Sequence, residues 1–337
     1  RRLTRRGPVA LAEIWARLLP NLVSGSALIL RPFRRWLAIA VLGLASVAPT
    51  AIVQAESPAN VLVLGRISDD PKAHYEQLKP LLDYVVARMG DVGITEGRVL
   101  MARDTQQMQS YLRRGRVDWI TETASSAMLL EARGGARPLL LTERNGVSRY
   151  HTVYFARRDS GIASLDDLSG RSIAFQNRQS ASAYFVPASE LLARGLPLDI
   201  LLSPQDEAEP GSVGYLFARS ELNTSSWVHK RLVDVGALSN LDWENPRRVP
   251  DSFRRDLVVF ARSPEFPRAL ELVRGNLSPR VAERLREVLI EASRDPAAAE
   301  ALAKFFRTTA FLPVDPRTRD ELDVLRSGAL RVTTEVE

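Results

Sequence analysis

Two serines two residues apart, Ser180 and Ser182, fall where the sequence passes from a strand pattern to a helix pattern. Upstream, Ile173, Ala174 and Phe175 form a short apolar run after the Gly170-Arg171 turn, and Gln176 to Gln179 is too polar to extend that run into a core. The pattern predicts a strand, a polar turn and a helix start, with Pro187 breaking or restarting the helix. Free backbone N–H groups, the positive end of a helix dipole and two hydroxyls suit a small oxyanion. The same serines also read as an ordinary N-cap, Ser180, and a solvated first-turn residue, Ser182.

In open α/β sheets ligands bind beyond the carboxyl ends of strands, so turns that follow strands and open helices carry the interest. Three qualify: Thr121 to Ser125, with Glu122 and Thr123; Gln179 to Ser182, with Ala181 between the serines; and Ser220 to Ser225, with Glu221, Asn223 and Thr224. They are either three capped helices or three fingers closing on one ligand. The ligand-binding candidates are therefore Ser180, Ala181, Ser182, Glu122, Thr123, Glu221, Asn223 and Thr224.

The elements that must position these turns alternate along the chain. Val61 to Leu64 reads as a buried strand, and Asp70-Pro71 opens a helix with Leu78, Leu81, Leu82, Val85, Val86 and Met89 on one face. Strands follow near Val99 to Met101, Val117 to Ile120, Pro138 to Leu141, Thr152 to Ala156, Leu198 to Leu202, Val213 to Phe217, Val233 to Leu238 and Asp256 to Phe260. Asp104 caps one intervening helix and Gly134-Gly135 closes another. After Leu270 to Val273, helices are announced by Ser278-Pro279, Asp295-Pro296 and Asp315-Pro316. This alternation predicts α/β lobes with largely parallel sheets.

The 337 residues exceed what one simple core needs, so two lobes are expected. There is no cysteine, which excludes disulfides, thiolate metal sites, a cysteine nucleophile and a lipidated N-terminal cysteine. Lys and Arg number 46 against 40 Asp and Glu, but eight of the arginines and one Glu lie in residues 1 to 55, leaving 38 against 39. The body is nearly neutral, and a nucleic-acid partner is not indicated. Arg31, Arg34 and Arg35 precede an uncharged run from Trp36 to Val47 and a small-residue ending at Val53-Gln54-Ala55, the pattern of a signal peptide over residues 31 to 55 cleaved after Ala55. An uncleaved membrane anchor is the competing reading. Residues 1 to 30 form an unassigned extension.

No enzymatic constellation stands out. His74, His151 and His229 are scattered without metal-ligand spacing and read as surface or packing residues. There is no Gly-x-Ser-x-Gly elbow, Walker loop or dinucleotide fingerprint. Tyr150, Tyr184 and Trp227 read as cleft aromatics or as core and hinge packing.

The run Tyr150-His-Thr-Val-Tyr-Phe-Ala-Arg-Arg-Asp-Ser-Gly-Ile, then Ser164-Leu-Asp-Asp-Leu-Ser-Gly-Arg, then Ser180-Ala181-Ser182-Ala183-Tyr184, resembles the phosphate/phosphite/phosphonate-binding proteins of ABC transporters. That family carries Ser-Thr-Ser-Gly-Tyr after a strand, so two of its three hydroxyls are kept here. The resemblance covers roughly residues 58 to 315. It implies a two-lobe type II periplasmic-binding fold, with residues 56 to 151 plus 262 to 337 as lobe 1, residues 152 to 261 as lobe 2 and the ligand in the cleft. It also implies a monomeric, exported, periplasmic protein, without cofactor or catalysis, that binds a small anionic or zwitterionic solute and hands it to an ABC transporter permease. A sensor feeding a membrane signalling partner, and a hydrolase or transferase on the same fold, are the alternatives. The sequence departs from the family where Glu122-Thr123 follows Asp118-Trp119-Ile120, and where Glu221 stands in place of a His about thirteen residues before Asp234. A dianion beside two unneutralised carboxylates in a closed cleft would be repelled by several kcal/mol. Either the acids meet a cationic part of the ligand, or they point elsewhere, or the ligand is not a phosphonate.

Overall fold

A computed structural model describes residues 60 to 336. The N-terminal extension, the signal peptide over residues 31 to 55 and its cleavage position lie outside the described residues. No helix among the described residues is long and apolar enough to cross a membrane.

Two six-stranded sheets organise the chain. The first is built from β1 (Val61–Ile67), β2 (Glu96–Ala102), β3 (Trp119–Thr123), β4 (Ala136–Arg144), β13 (Ala269–Arg274) and β14 (Thr308–Leu312), in the order β14-β4-β13-β3-β1-β2. Between β4 and β13 the chain makes β5 (Arg149–Tyr150) and then the second sheet: β6 (Thr152–Arg157), β7 (Ser172–Phe175), β8 (Leu198–Ile200), β9 (Val213–Phe217), β10 (Val235–Ser239) and β11 (Leu257–Arg262), in the order β11-β6-β10-β7-β9-β8. It returns through β12 (Phe266–Pro267), which pairs with β5 so that Phe266 faces Tyr150. Both crossings between sheets are thus tied together in one short antiparallel ribbon.

The sheets are largely parallel, with β13 and β14 reversed in the first and β6 in the second. β1 runs parallel to β2 and β3, while β13 is antiparallel to both β3 and β4, and β14 is antiparallel to β4. In the second sheet β6 is antiparallel to β10 and β11. The reversals occur where the chain crosses between lobes or comes back after the C-terminal helices, connections that periodicity does not encode.

Helices cover both faces of each sheet. In β1 the alternation sends Leu62 and Leu64 into one core with Leu78, Leu81, Leu285 and Leu289, and Val61 and Val63 into another with Met108, Leu112 and Met128. The first core belongs to α1 (Pro71–Val86), α8 (Pro279–Ala292) and α9 (Ala299–Lys304); the second to α2 (Thr105–Arg113) and α3 (Ala124–Gly134). Around the second sheet, α4 (Val186–Ala193) packs on one face and α5 (Glu221–His229), with the short α6 (Asn240–Trp243) and α7 (Asp251–Arg254), on the other. The C-terminal α10 (Pro316–Glu335) contributes Leu322 and Leu325 to a first-lobe core, and Ala329 and Val332 to a second-lobe core. Gly328 lets it come close to α4, since a Cβ there would meet Ser189 Oγ at 2.4 Å.

Candidate functional site

The carboxyl ends of β1 and β3 meet the turn after β7 across a cavity of about 220 Å³. Its walls are Arg66, Ile67, Ser68, Asp69, His74, Arg103, Glu122 and Thr123 from the first lobe, and Gln176, Asn177, Gln179 and Ser180 from the second. Drug-sized ligand sites run from about 300 to 1,000 Å³, so this space suits a ligand of few heavy atoms. A larger cavity of about 300 Å³ opens behind the β5–β12 ribbon among Val186, Phe266, Leu325 and Ala329. The smaller one is the better candidate because it lies at the strand ends and gathers polar groups from both lobes.

Of the three turns, the first departs from ordinary helix capping. Thr123 is the N-cap of α3 yet makes no side-chain cap; its Oγ1 donates instead to the Gln179 carbonyl at 3.2 Å, across the cleft. In the second turn Ser180 Oγ accepts from Ala183 N at 3.1 Å, an N-cap that leaves the hydroxyl proton free to donate into the cavity it lines. The helix it opens begins with a wide turn over Ala181–Phe185 and restarts as α4, with Pro187 in its first turn. In the third turn Ser220 Oγ caps Asn223 N at 3.2 Å.

The structure therefore gathers Glu122, Thr123 and Ser180 at one cavity, and places the other candidates around it. Ala181 and Ser182 are buried, the Ser182 carbonyl accepts from Thr152 Oγ1 at 2.8 Å, and its hydroxyl lies near Tyr150. Ser182 thus ties the second-lobe helix to the crossing strand. Asn223 Nδ2 donates to the Ala218 carbonyl at 2.8 Å, and Thr224 Oγ1 donates to the Ser220 carbonyl at 3.0 Å, so both serve their own helix start. Glu221 stands one residue behind the wall: it pairs with Arg248 at 2.9 Å and accepts from Gln176 Nε2 at 2.8 Å.

Glu122 is buried and accepts from the Ile67 backbone N–H at 2.7 Å. Burial pushes its carboxyl up from the ordinary range, opposed by the charge of Arg66 and by backbone N–H donors. Across the wall, Ser68 Oγ and His74 Nδ1 are hydrogen-bonded at 2.6 Å, and burial with the Arg66 charge lowers the imidazole's pKa. Arg66 and Arg103 supply the cavity's positive charge, against Asp69 and Glu122. His74, read from the sequence as a surface or packing residue, lies in the cavity wall, and Arg66 and Arg103 carry no sequence signal because each is an isolated residue whose cavity neighbours come from elsewhere in the sheet.

Tyr150 packs against Phe266 at 4.8 Å between ring centroids, and Tyr184 lies buried among Phe175, Phe185 and Phe217. His229 stacks on Phe253 at 4.4 Å. Trp227 packs against the second-lobe core. These are packing roles, and no cluster able to hold a metal ion occurs among the described residues.

The family model of the ABC transporter phosphonate periplasmic substrate-binding protein matches residues 65 to 318. Among solved structures, the Xanthomonas citri protein XAC2383 bound to chloride is 55% identical, with 82% of this chain and 100% of that chain covered and a TM-score of 0.79. The same protein bound to ATP matches at 54% identity, 82% and 100% coverage and a TM-score of 0.78. PhnD1 from Prochlorococcus marinus, in complex with methylphosphonate, shares the fold at 14% identity, 82% and 99% coverage and a TM-score of 0.59. The type II periplasmic-binding fold and a family model that covers most of its length show that this chain belongs to the phosphonate-binding periplasmic substrate-binding proteins of ABC transporters.

Proposed function

We propose that this chain is exported through a signal peptide at residues 31 to 55, and that lobes formed by residues 56 to 151 plus 262 to 337 and by residues 152 to 261 close on a small phosphoryl oxyanion, which is delivered to an ABC permease. The observation that carries this reading is the cavity shared by both lobes, where the Ser180 hydroxyl faces space also lined by Arg66 and Arg103. Hydroxyls and guanidinium groups are the donors that a phosphonate, phosphite or phosphate accepts from. Glu221, neutralised by Arg248, does not oppose an anion. Glu122 is set against the Arg66 charge and the Ile67 N–H, which offset its own charge.

A second reading is a nucleoside triphosphate whose terminal phosphate enters the same cavity, favoured by the ATP-bound Xanthomonas citri protein at 54% identity. That ligand needs a wider opening than about 220 Å³. Calorimetric titration with phosphate, phosphite, methylphosphonate, an aminoalkylphosphonate and ATP separates the two. Tightest binding of a small member supports the first reading and tightest binding of ATP the second. Binding of none of the five overturns both.

A further inference from the structure

The least satisfied polar groups near the cleft are two arginines. Arg66 ends β1 in the cavity wall, and Arg144 ends β4 in the same edge of the sheet, buried to 8% exposure. Both guanidinium carbons lie over one aromatic ring, that of Phe306, at 4.4 and 4.5 Å from its centroid. Arg66 Nη1 donates to the Thr121 carbonyl at 3.1 Å, but Arg66 Nε, Arg144 Nε and Arg144 Nη2 have no hydrogen-bond partner among the described residues.

Neither carboxylate nearby is placed to satisfy them. Glu271 accepts from Trp119 Nε1, Thr121 Oγ1 and Thr142 Oγ1 at 2.6, 2.9 and 2.8 Å, and Glu122 accepts from Ile67 N. Neither arginine forms an ion pair among the described residues. Two like charges sharing one ring, with buried donors unmet, are unfavourable unless an anion joins them.

The backbone holds the arrangement in place. Phe306 and Arg307 both have φ of 54°, in the left-handed region that residues with a Cβ adopt at a cost. The Arg307 carbonyl accepts from Asn145 N at 2.9 Å, and Thr309 Oγ1 accepts from Gly146 N at 3.0 Å. The turn after β4 and the turn before β14 are thereby joined, which keeps the Phe306 ring beside Arg144.

We infer that Arg66 and Arg144, steadied on Phe306, form a two-guanidinium subsite for a dianionic phosphoryl head group, Arg66 from the cavity wall and Arg144 from behind it. The inference rests on the phosphoryl reading of the cleft and names the groups that would carry its charge recognition. Arg66 lines the wall and can donate to a phosphoryl oxygen there, while Arg144, outside the lining, acts through its charge.

The test uses the full chain, titrated calorimetrically with methylphosphonate and with inorganic phosphate at mildly alkaline pH, with ligand-free melting measured in parallel. Arg144→Met should lower affinity about tenfold, through the loss of a positive charge that acts from behind the wall. Its ligand-free melting temperature should be unchanged or higher, because an unmet buried charge has been replaced by an apolar side chain of similar length. If that variant does not fold, Arg144→Gln decides, with the same expected loss because it too removes the charge. Wild type that binds while the variant binds equally well overturns the subsite and leaves the cleft reading standing. An affinity loss matched by a fall in ligand-free melting temperature in Arg144→Met assigns Arg144 a structural role and also overturns the subsite. Wild type that binds neither probe overturns both.

Discussion

Thr123 and Gln179 are joined across the cleft by a hydrogen bond of 3.2 Å from a side-chain hydroxyl to a backbone carbonyl. Thr123 stands at the N-cap position of the helix after β3 in the first lobe and Gln179 lies in the turn after β7 in the second, so the bond spans the two lobes. It also accounts for the absence of a side-chain cap from Thr123 to its own helix. Thr123→Val keeps the shape of the side chain and removes the bond, at about 0.5 to 1.5 kcal/mol. The variant should show a larger ligand-free radius of gyration by X-ray scattering than wild type, with affinity reduced up to about tenfold.

Ser180 and Ser182 should separate by function. Ser180 lines the cavity and caps its helix, so Ser180→Ala should lose about 1 kcal/mol of stability and weaken anion binding by about tenfold or more. Ser182 is buried against Tyr150 and Thr152, so Ser182→Ala should lose about 1 kcal/mol of stability and leave affinity within about twofold. Calorimetric titration and denaturant unfolding of the two single variants check both halves.

The pH dependence of Glu122 has a definite sign. Burial raises its folded pKa above the ordinary 4.5, so the folded state holds this proton more tightly than the unfolded chain. Its contribution to stability falls as pH rises from 4.5 through the raised value, and stays at its low level above that. Glu122→Gln still accepts from Ile67 N but carries no charge. The variant should therefore melt at or above the wild-type temperature at neutral pH, with the difference shrinking as pH is lowered toward 4.5. A difference that grows on acidification would contradict the assignment. Glu221→Gln, behind the wall and paired with Arg248, should leave ligand preference unchanged.

Glu271 binds three strands together, taking hydrogen bonds from Trp119 and Thr121 on β3 and Thr142 on β4. Glu271→Met leaves three buried donors unmet and should cost on the order of 3 kcal/mol or more. Glu271→Gln should cost less than half as much, because its carbonyl accepts from Trp119 while the threonine hydroxyls rotate to accept from its amide. Scanning calorimetry of the pair measures the difference.

Local signals were the legible ones. Asp70, Asp104, Ser180, Asp295 and Asp315 each cap a helix where the sequence places an Asp or Ser before a helix start. The turn after β7 was legible for the same reason: strand, polar break and cap are contiguous. Arg66 and Arg144 were not, because the order β14-β4-β13-β3-β1-β2 brings the ends of β1 and β4 to one sheet edge, and sheet order is a long-range property. In the third turn the Asn223 and Thr224 side chains complete the backbone of their own helix. β14 also escaped, because Thr308 to Leu312 is short and follows two left-handed residues that no composition announces.

The measurement that bears most directly on the central claim is a crystal structure of the full chain with methylphosphonate. Phosphoryl oxygens are expected within about 3 Å of Ser180 Oγ and of the Arg66 guanidinium, with Thr123 bonded to Gln179 across the cleft. A methylphosphonate seated elsewhere, for instance among Val186, Phe266 and Leu325 behind the ribbon, would contradict it.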